Sequence, residues 1–209
     1  MALNKKQGLI DGQHFYSKRN QVTYRSDKDC VRKKHFDQGA FNNELWVYER
    51  LSDHPSVKVP FMMSTDSKSL SLDLAFIHGS LILDELTLCE TQGDVMGAVK
   101  HLGQLYGWMN RFYVAMGGSY RLNDVNLRNF IVHNKEIYGI DFEMVSEGNQ
   151  LEEQCMVLAM YQMYDPEDTD FKKQVSEGVT KKYLHHLDHA QACISQCRET
   201  IEERRRNRS

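Results

Sequence analysis

No run of apolar residues in this chain approaches the roughly 20 needed to span a bilayer, and no stretch is low in complexity. Proline is scarce, at 3 of 209 residues, which excludes a proline-rich linker or an extended scaffold. The opening MALNKKQGLIDG has no long apolar h-region, and this predicts a protein that is not exported. Cysteines are few and odd in number, 5 in all (Cys30, Cys89, Cys155, Cys193 and Cys197). That spread excludes a closed disulfide framework and predicts free thiols in a reducing cytoplasm. A strong charge of either sign is also missing: the formal net charge is -3 and the pI about 6.3. Nucleic acid or an anionic membrane is therefore not expected as the main partner.

What is present is the composition of an ordinary folded protein, 41% hydrophobic and 26% charged, long enough for one good core or two small lobes. Residues 14–36 are rich in β-formers and carry polar turns at Ser17–Asn20 and Ser26–Lys28, which predicts three short antiparallel strands. GAFNNELWVYERL reads as a helix with Phe41, Leu45, Tyr48 and Leu51 on one face, ended by His54-Pro55. SLSLDLAFI, residues 69–77, reads as a strand broken by His78-Gly79. Beyond it the chain turns helical. Asp94 is placed to cap a long helix whose stripe is Val95, Val99, Leu102, Tyr106, Met109, Tyr113 and Met116, stopped by Gly117-Gly118. Asp165-Pro166 is read as the cap and first residue of a later helix.

Between the helices lies NDVNLRNFIVHNKEIYGIDFE, residues 123–143. FIVH and EIYGI are short strands joined by Asn134-Lys135, a two-residue turn. Pairing about that turn sets Asn129 opposite Ile140, next to Asp141, with Asp124 on the loop entering the same end. Two carboxylates and an amide oxygen thus gather at one mouth. Hard oxygens on short loops suit Mg²⁺, which keeps room for phosphate oxygens; the same residues also serve as plain turn and cap residues. An EF-hand is excluded, since the sixth and twelfth positions from Asp124 are Asn129 and Lys135. Upstream, Glu44 falls on the apolar face of its helix, between Phe41 and Tyr48, where a carboxylate needs a cationic partner. The strand Cys30-Val31-Arg32-Lys33-Lys34 can supply one.

Taken in order, these parts resemble the protein-kinase-like superfamily over roughly residues 14–145. Asp124-x-x-x-x-Asn129 resembles its catalytic loop, Ile140-Asp141-Phe142 its metal-binding aspartate motif, Lys33 its nucleotide lysine and Glu44 that lysine's helix partner. The resemblance implies an α+β, bilobal fold. An antiparallel sheet with one helix would form an N-lobe over residues 1–79, ending in a hinge at Asp73–Gly79, and a minimal, mostly helical C-lobe would cover residues 80–209. It implies an ATP- and Mg²⁺-dependent phosphotransferase acting on a hydroxyl acceptor, small molecule or protein. Asp124 would orient or deprotonate the hydroxyl, Asn129 and Asp141 would hold Mg²⁺, and Lys33, braced by Glu44, would contact the α- and β-phosphates. Lys34 is the alternative if the register slips by one. Val31 and the backbone of Leu74, Ala75, Phe76 and Ile77 would bind the adenine.

The chain departs from the protein-kinase pattern in several places. Its first turn, Ser17-Lys18-Arg19-Asn20, has no glycine, leaving Lys18 and Arg19 as the source of positive charge near the phosphates. Leu122 stands where protein kinases carry histidine, Asn126 replaces Lys or His, and Glu143 follows Asp141-Phe142 in place of glycine. The acidic Glu143 is similar to the aminoglycoside and choline phosphotransferases. The short segment between Gly79 and Asp124, and the basic end Arg204–Arg208, are more similar to the small atypical kinase of the tRNA threonylcarbamoyladenosine complex. That end is read either as a solvated helix terminus or as a contact for protein or RNA. A nucleotide-binding pseudokinase or an ATPase subunit of a larger complex is the alternative function. His185, His189, Cys193 and Cys197 recur every fourth residue. On one continuous helix with the stripe Leu184, Leu187, Ala190, Ile194, Cys197 and Ile201, their span is too long for a single metal site.

Overall fold

The computed structural model describes residues 14–16, 19–185 and 189–207. Residues 1–12, Ser17, Lys18, Leu187 and Arg208, on which some of the expectations above rest, lie outside it. Among the described residues, no helix is long and apolar enough to cross a membrane, and all five cysteines are free.

The amino-terminal part is a five-stranded antiparallel sheet in the order β1-β2-β3-β5-β4, built from β1 (His14–Tyr16), β2 (Asn20–Arg25), β3 (Cys30–His35), β4 (Met62–Asp66) and β5 (Ser71–Ala75). β3 is central, and from Arg32 onward its burial alternates: Lys33 and His35 are buried while Arg32 and Lys34 are exposed. Arg32 makes a bidentate pair with Asp73 across the β3–β5 pairing, at 2.7 Å for each bond. Asp73 is thereby held below the usual aspartate range, through that hydrogen bond chiefly, against partial burial. β5 ends at Ala75, so the expected strand 69–77 is shorter at both ends, and Asp73–Ala75 belong to the sheet rather than to a hinge. The chain leaves the sheet only at Phe76. Gly79 sits under the next hairpin, where an added Cβ would run into the Val132 carbonyl.

Helix α1 (Gln38–Leu51) starts at Asp37, whose Oδ1 accepts from the Ala40 N–H at 2.8 Å. It buries Phe41, Glu44, Val47, Tyr48 and Leu51, so the charged Glu44 lies deeper than the apolar Leu45.

The carboxy-terminal part is mostly helical. β6 (Ser80–Leu81) leads into α2 (Ile82–Gln92), whose N-cap is Leu81, without a side-chain acceptor to mark the start. α3 (Val95–Ala115) is capped by Asp94, whose side chain accepts from Gly97, and it ends before Gly117 and Gly118, both at positive φ. Its expected stripe is buried from Val99 to Met116, while Val95 is only half-buried. β7 (Tyr120–Arg121) pairs later with β10 (Ser146–Glu147). The hairpin of β8 (Phe130–His133) and β9 (Glu136–Gly139) turns on Asn134 and Lys135, at φ 50° and 66°, in the expected register. α4 (Leu151–Gln162), α5 (Asp170–Tyr183) and α6 (Ala190–Arg206) complete the fold.

Two expectations are corrected here. Asp165-Pro166 does not open a helix: α5 begins four residues later, where Thr169 Oγ1 accepts from Lys172 N at 3.2 Å and supplies the cap that Asp165 does not. The stripe from Leu184 to Ile201 is not one helix either, because α5 stops at Tyr183 and α6 starts at Ala190. His185 and His189 flank that break, so the four-residue spacing carries no common helix face.

The core is centred on α3. Trp108 and Phe112 stack at 5.4 Å, and Phe142 stacks on both, at 6.3 and 5.9 Å. Full burial of such rings is worth about 1.5–3 kcal/mol each, so the residue after Asp141 is anchored to the longest described helix of the fold.

Candidate active site

Lys33 is the centre of a buried charge cluster. Alternation along β3 turns it toward α1, and its Nζ lies 2.6 Å from Glu44 Oε2, 2.6 Å from Asp141 Oδ1 and 3.7 Å from Glu143 Oε2. Burial disfavours the ammonium, but Glu44, Asp141 and Glu143 outweigh it and hold Lys33 above the ordinary lysine range. Burial likewise acts against Glu44 and Asp141, and the Lys33 charge overrides it, holding both carboxyls below their ordinary ranges. Lys34 is exposed, which removes the alternative register. His35, two residues along the same face, places Nε2 3.0 Å from Glu44 Oε2. Glu44 also accepts from the Phe142 N–H at 3.2 Å, and its neighbour Asn43 donates to the Glu143 and Val145 carbonyls at 2.9 and 2.8 Å. One face of α1 therefore clamps the segment that carries Asp141.

The loop before the hairpin is held from below. Asn123 and Asp141 both adopt left-handed backbone, φ 62° and 69°, an uncommon state for non-glycine residues that clusters at functional sites. Asp124 Oδ1 accepts from Asn126 N at 3.2 Å, and Asn129 Nδ2 donates to the Asp124 carbonyl at 3.3 Å. The Ile140 N–H donates to the Asn129 carbonyl at 2.9 Å, which sets Asn129 beside Asp141 at the hairpin mouth. Beneath them Glu153 of α4 accepts from Leu122 N at 2.8 Å, Asn123 N at 2.5 Å and the Tyr113 hydroxyl at 3.0 Å. Its own burial raises its pKa, and the three donors only partly offset that. Glu153, Asn43 and Glu143's contacts have no local signal in the sequence. Glu153 lies in a helix buried on nearly every side, with no polar face to set it apart.

These residues line two separate clefts. The first, about 70 Å³, is lined by Val22, Val31, Leu74–Ile77 and Tyr48, with Lys33 and Asp141 at its inner end. Two of its backbone donors are used: the Ala75 N–H donates to the Phe61 carbonyl and the Phe76 N–H to that of Asp29, at 2.8 and 2.9 Å. The Tyr48 hydroxyl is buried there with no hydrogen-bond partner among the described residues. The second cleft, about 580 Å³, opens on Asp124 and runs between the 122–128 loop, α4 and α6. A third cluster of ligand-type atoms, on His35, Glu44 and Glu143, lies within 4.8 Å, but the Lys33 ammonium already sits against two of its carboxylates.

No protein-family model matches this chain, and no curated protein matches it in sequence. Solved structures do. A structure of WaaP in complex with acyl carrier protein aligns with TM-score 0.61 at 10% identity, over 93% of this chain and 89% of that one. A streptomycin–ATP–APH(2")-IIa ternary complex aligns with TM-score 0.53 at 14% identity, over 93% and 83%. The fold is protein-kinase-like. Within this kinase-like frame the structure brings Lys33, Glu44 and Asp141 together, with Asn43, Glu143 and Glu153 packed around them.

Proposed function

We propose that this protein is an ATP- and Mg²⁺-dependent phosphotransferase acting on a hydroxyl group. The observation that carries the reading is the buried Lys33–Glu44–Asp141 cluster at the inner end of one cleft, with Asp124 at the head of another. Phosphoryl transfer requires charge neutralisation and positioning more than covalent help, and this arrangement provides both. Val31 and Leu74 would flank the adenine. The Ile77 N–H, which has no backbone partner among the described residues, is the hinge donor left to read it. The cleft's volume is below the ~300 Å³ at which ligand pockets begin, so nucleotide entry would part the sheet from the hairpin and give Tyr48 a partner. We take that movement to occur at residues 76–79, which divides the chain into lobes of residues 1–79 and 80–209.

Asp141 and the Asn129 side-chain oxygen form a hard-oxygen donor set of the kind Mg²⁺ accepts. Mg²⁺ bound there would neutralise phosphate charge. Lys33, held by Glu44, would contact the α- and β-phosphates. Asp124 takes the acceptor's proton as its oxygen bonds to the γ-phosphorus. The bond to the β-phosphate oxygen then breaks and ADP leaves with the electron pair. The free thiols suit a reducing cytoplasm.

Incubation with ATP, Mg²⁺ and candidate alcohols tests the reading: a transferase moves the γ-phosphate to the alcohol, and Asp124→Ala stops it. A nucleotide-binding subunit without efficient transfer is the second reading, favoured by the absence of glycine from residues 17–20 of the sequence. It would bind ATP without turnover.

A further inference from the structure

The second cleft has a composition of its own. Five arginines line it: Arg19, Arg121, Arg128, Arg204 and Arg205. They come from distant parts of the chain, and only three carboxylates, Asp124, Glu152 and Glu153, line it with them. Arg205 is engaged, donating to Glu167 at 2.8 Å and to the Met163 carbonyl at 3.0 Å, and Arg121 lies 3.6 Å from Glu152. Arg128 lies over the Tyr164 ring at 5.4 Å, and neither it nor Arg204 has a carboxylate partner among the described residues. The cleft is also lined by Met144, Met156, Met160 and Met163, unbranched side chains that adapt to an apolar surface.

Helix-dipole compensation explains a basic last turn on α6, but not Arg121 and Arg128, which reach the same space from β7 and the loop after Asp124. Like charges brought together in a cleft repel one another, and an anion bound among them reverses the sign of that interaction. Guanidinium groups match phosphate and carboxylate oxygens in a planar, two-point fashion. The volume, about 580 Å³, is that of a small-molecule site rather than a protein or RNA footprint.

We infer that the phosphate acceptor is a small anionic alcohol, carrying a phosphate or carboxylate group that Arg128 and Arg204 bind while its hydroxyl reaches Asp124 and its carbon skeleton rests on the methionines. This rests on the phosphotransferase reading and deepens it by naming the class of acceptor. A cationic acceptor would face the two guanidinium groups, Arg128 and Arg204, that have no carboxylate partner among the described residues. The α6 terminus is then a wall of the acceptor site and not a solvated end.

The test is a thermal-shift titration of the full chain with glycerol 3-phosphate, glucose 6-phosphate and 3-phosphoglycerate, against glycerol, glucose and the cationic streptomycin. The same series is run on Arg128→Glu and Arg204→Glu; both side chains are exposed, so folding is retained. At least one anionic alcohol is expected to stabilise the wild type, with its Kd raised tenfold or more in each variant, and the neutral and cationic compounds to have no effect. Stabilisation by neutral or cationic compounds equal to that by the anions overturns the inference. So does no anion response at millimolar concentration, or an anion response unchanged in both variants, which would locate it at the nucleotide phosphates. ATP is titrated in parallel. Loss of the ATP response alone would strike the nucleotide reading, while the anion response is judged separately.

Discussion

Lys33 Nζ and Asp141 Oδ1 lie 2.6 Å apart although 108 residues separate them in sequence. With Glu44 also 2.6 Å from the same nitrogen, a single ammonium joins the sheet, α1 and the hairpin. Lys33 is buried, with a side chain 7% exposed, and Glu44 is fully so. Such a group must stay paired, because an isolated buried charge is among the most costly features a fold can carry.

Lys33→Met is therefore expected to destabilise the protein by about 3–5 kcal/mol, the usual result of removing one partner of a buried pair. Adding Glu44→Leu should restore part of that loss, since the second change removes a stranded carboxylate. Urea denaturation of the two variants measures it, and a single mutant as stable as wild type would show that the cluster is not closed as described.

Glu153→Ala should act differently. It leaves the Leu122 and Asn123 N–H groups and the Tyr113 hydroxyl without their acceptor, at about 1–3 kcal/mol for each that stays buried. The loop carrying Asp124 would loosen while the nucleotide cleft stays intact. Turnover should fall by at least tenfold with ATP affinity nearly unchanged, and Glu153→Gln should recover part of it. An equal loss of ATP affinity would mean that Glu153 supports the whole domain and not the loop.

The pairs at the heart of the site were legible because their signals are local. Asn134-Lys135 between two apolar tetrapeptides fixes a hairpin register, and the register fixes Asn129 beside Asp141. Glu44 stood out as a charge on an apolar face, and the depth at which it lies explains why. Glu153 carried no such mark, since neighbouring residues on every side of α4 are also buried and its partners are about one helix and one loop away. α2 was hidden for lack of a capping side chain. The break between α5 and α6 was masked by an apolar spacing that continues across it, and Asp165-Pro166 offered a cap signal that Thr169 supplies instead.

Acid sensitivity should track Asp73. Its folded pKa lies below the ordinary 3.8, chiefly through the Arg32 hydrogen bond. A carboxylate with a depressed folded pKa contributes stability that is present above its unfolded value and lost as pH falls through the folded one. Asp73→Asn should lower the melting temperature at pH 7 and narrow the gap to wild type below about pH 4. A gap constant from pH 7 to pH 3 would assign the effect to packing.

Asp124→Asn should keep the fold and ATP affinity and lose at least 100-fold in transfer, the lower end of what a positioned base contributes. Single-turnover measurement with a responding acceptor reads this directly. Full turnover in the variant would remove Asp124 from the chemistry.

The most direct measurement is a thermal-shift titration with ATP, with and without Mg²⁺, on wild type and Asp141→Ala. A ligand that binds only the native state stabilises it by about 2.7 kcal/mol at a hundredfold excess over Kd. A Mg²⁺-dependent rise is expected for the wild type, and Asp141→Ala is expected to abolish it. No rise at millimolar ATP, or an equal rise in the variant, would contradict a nucleotide site built on Lys33 and Asp141.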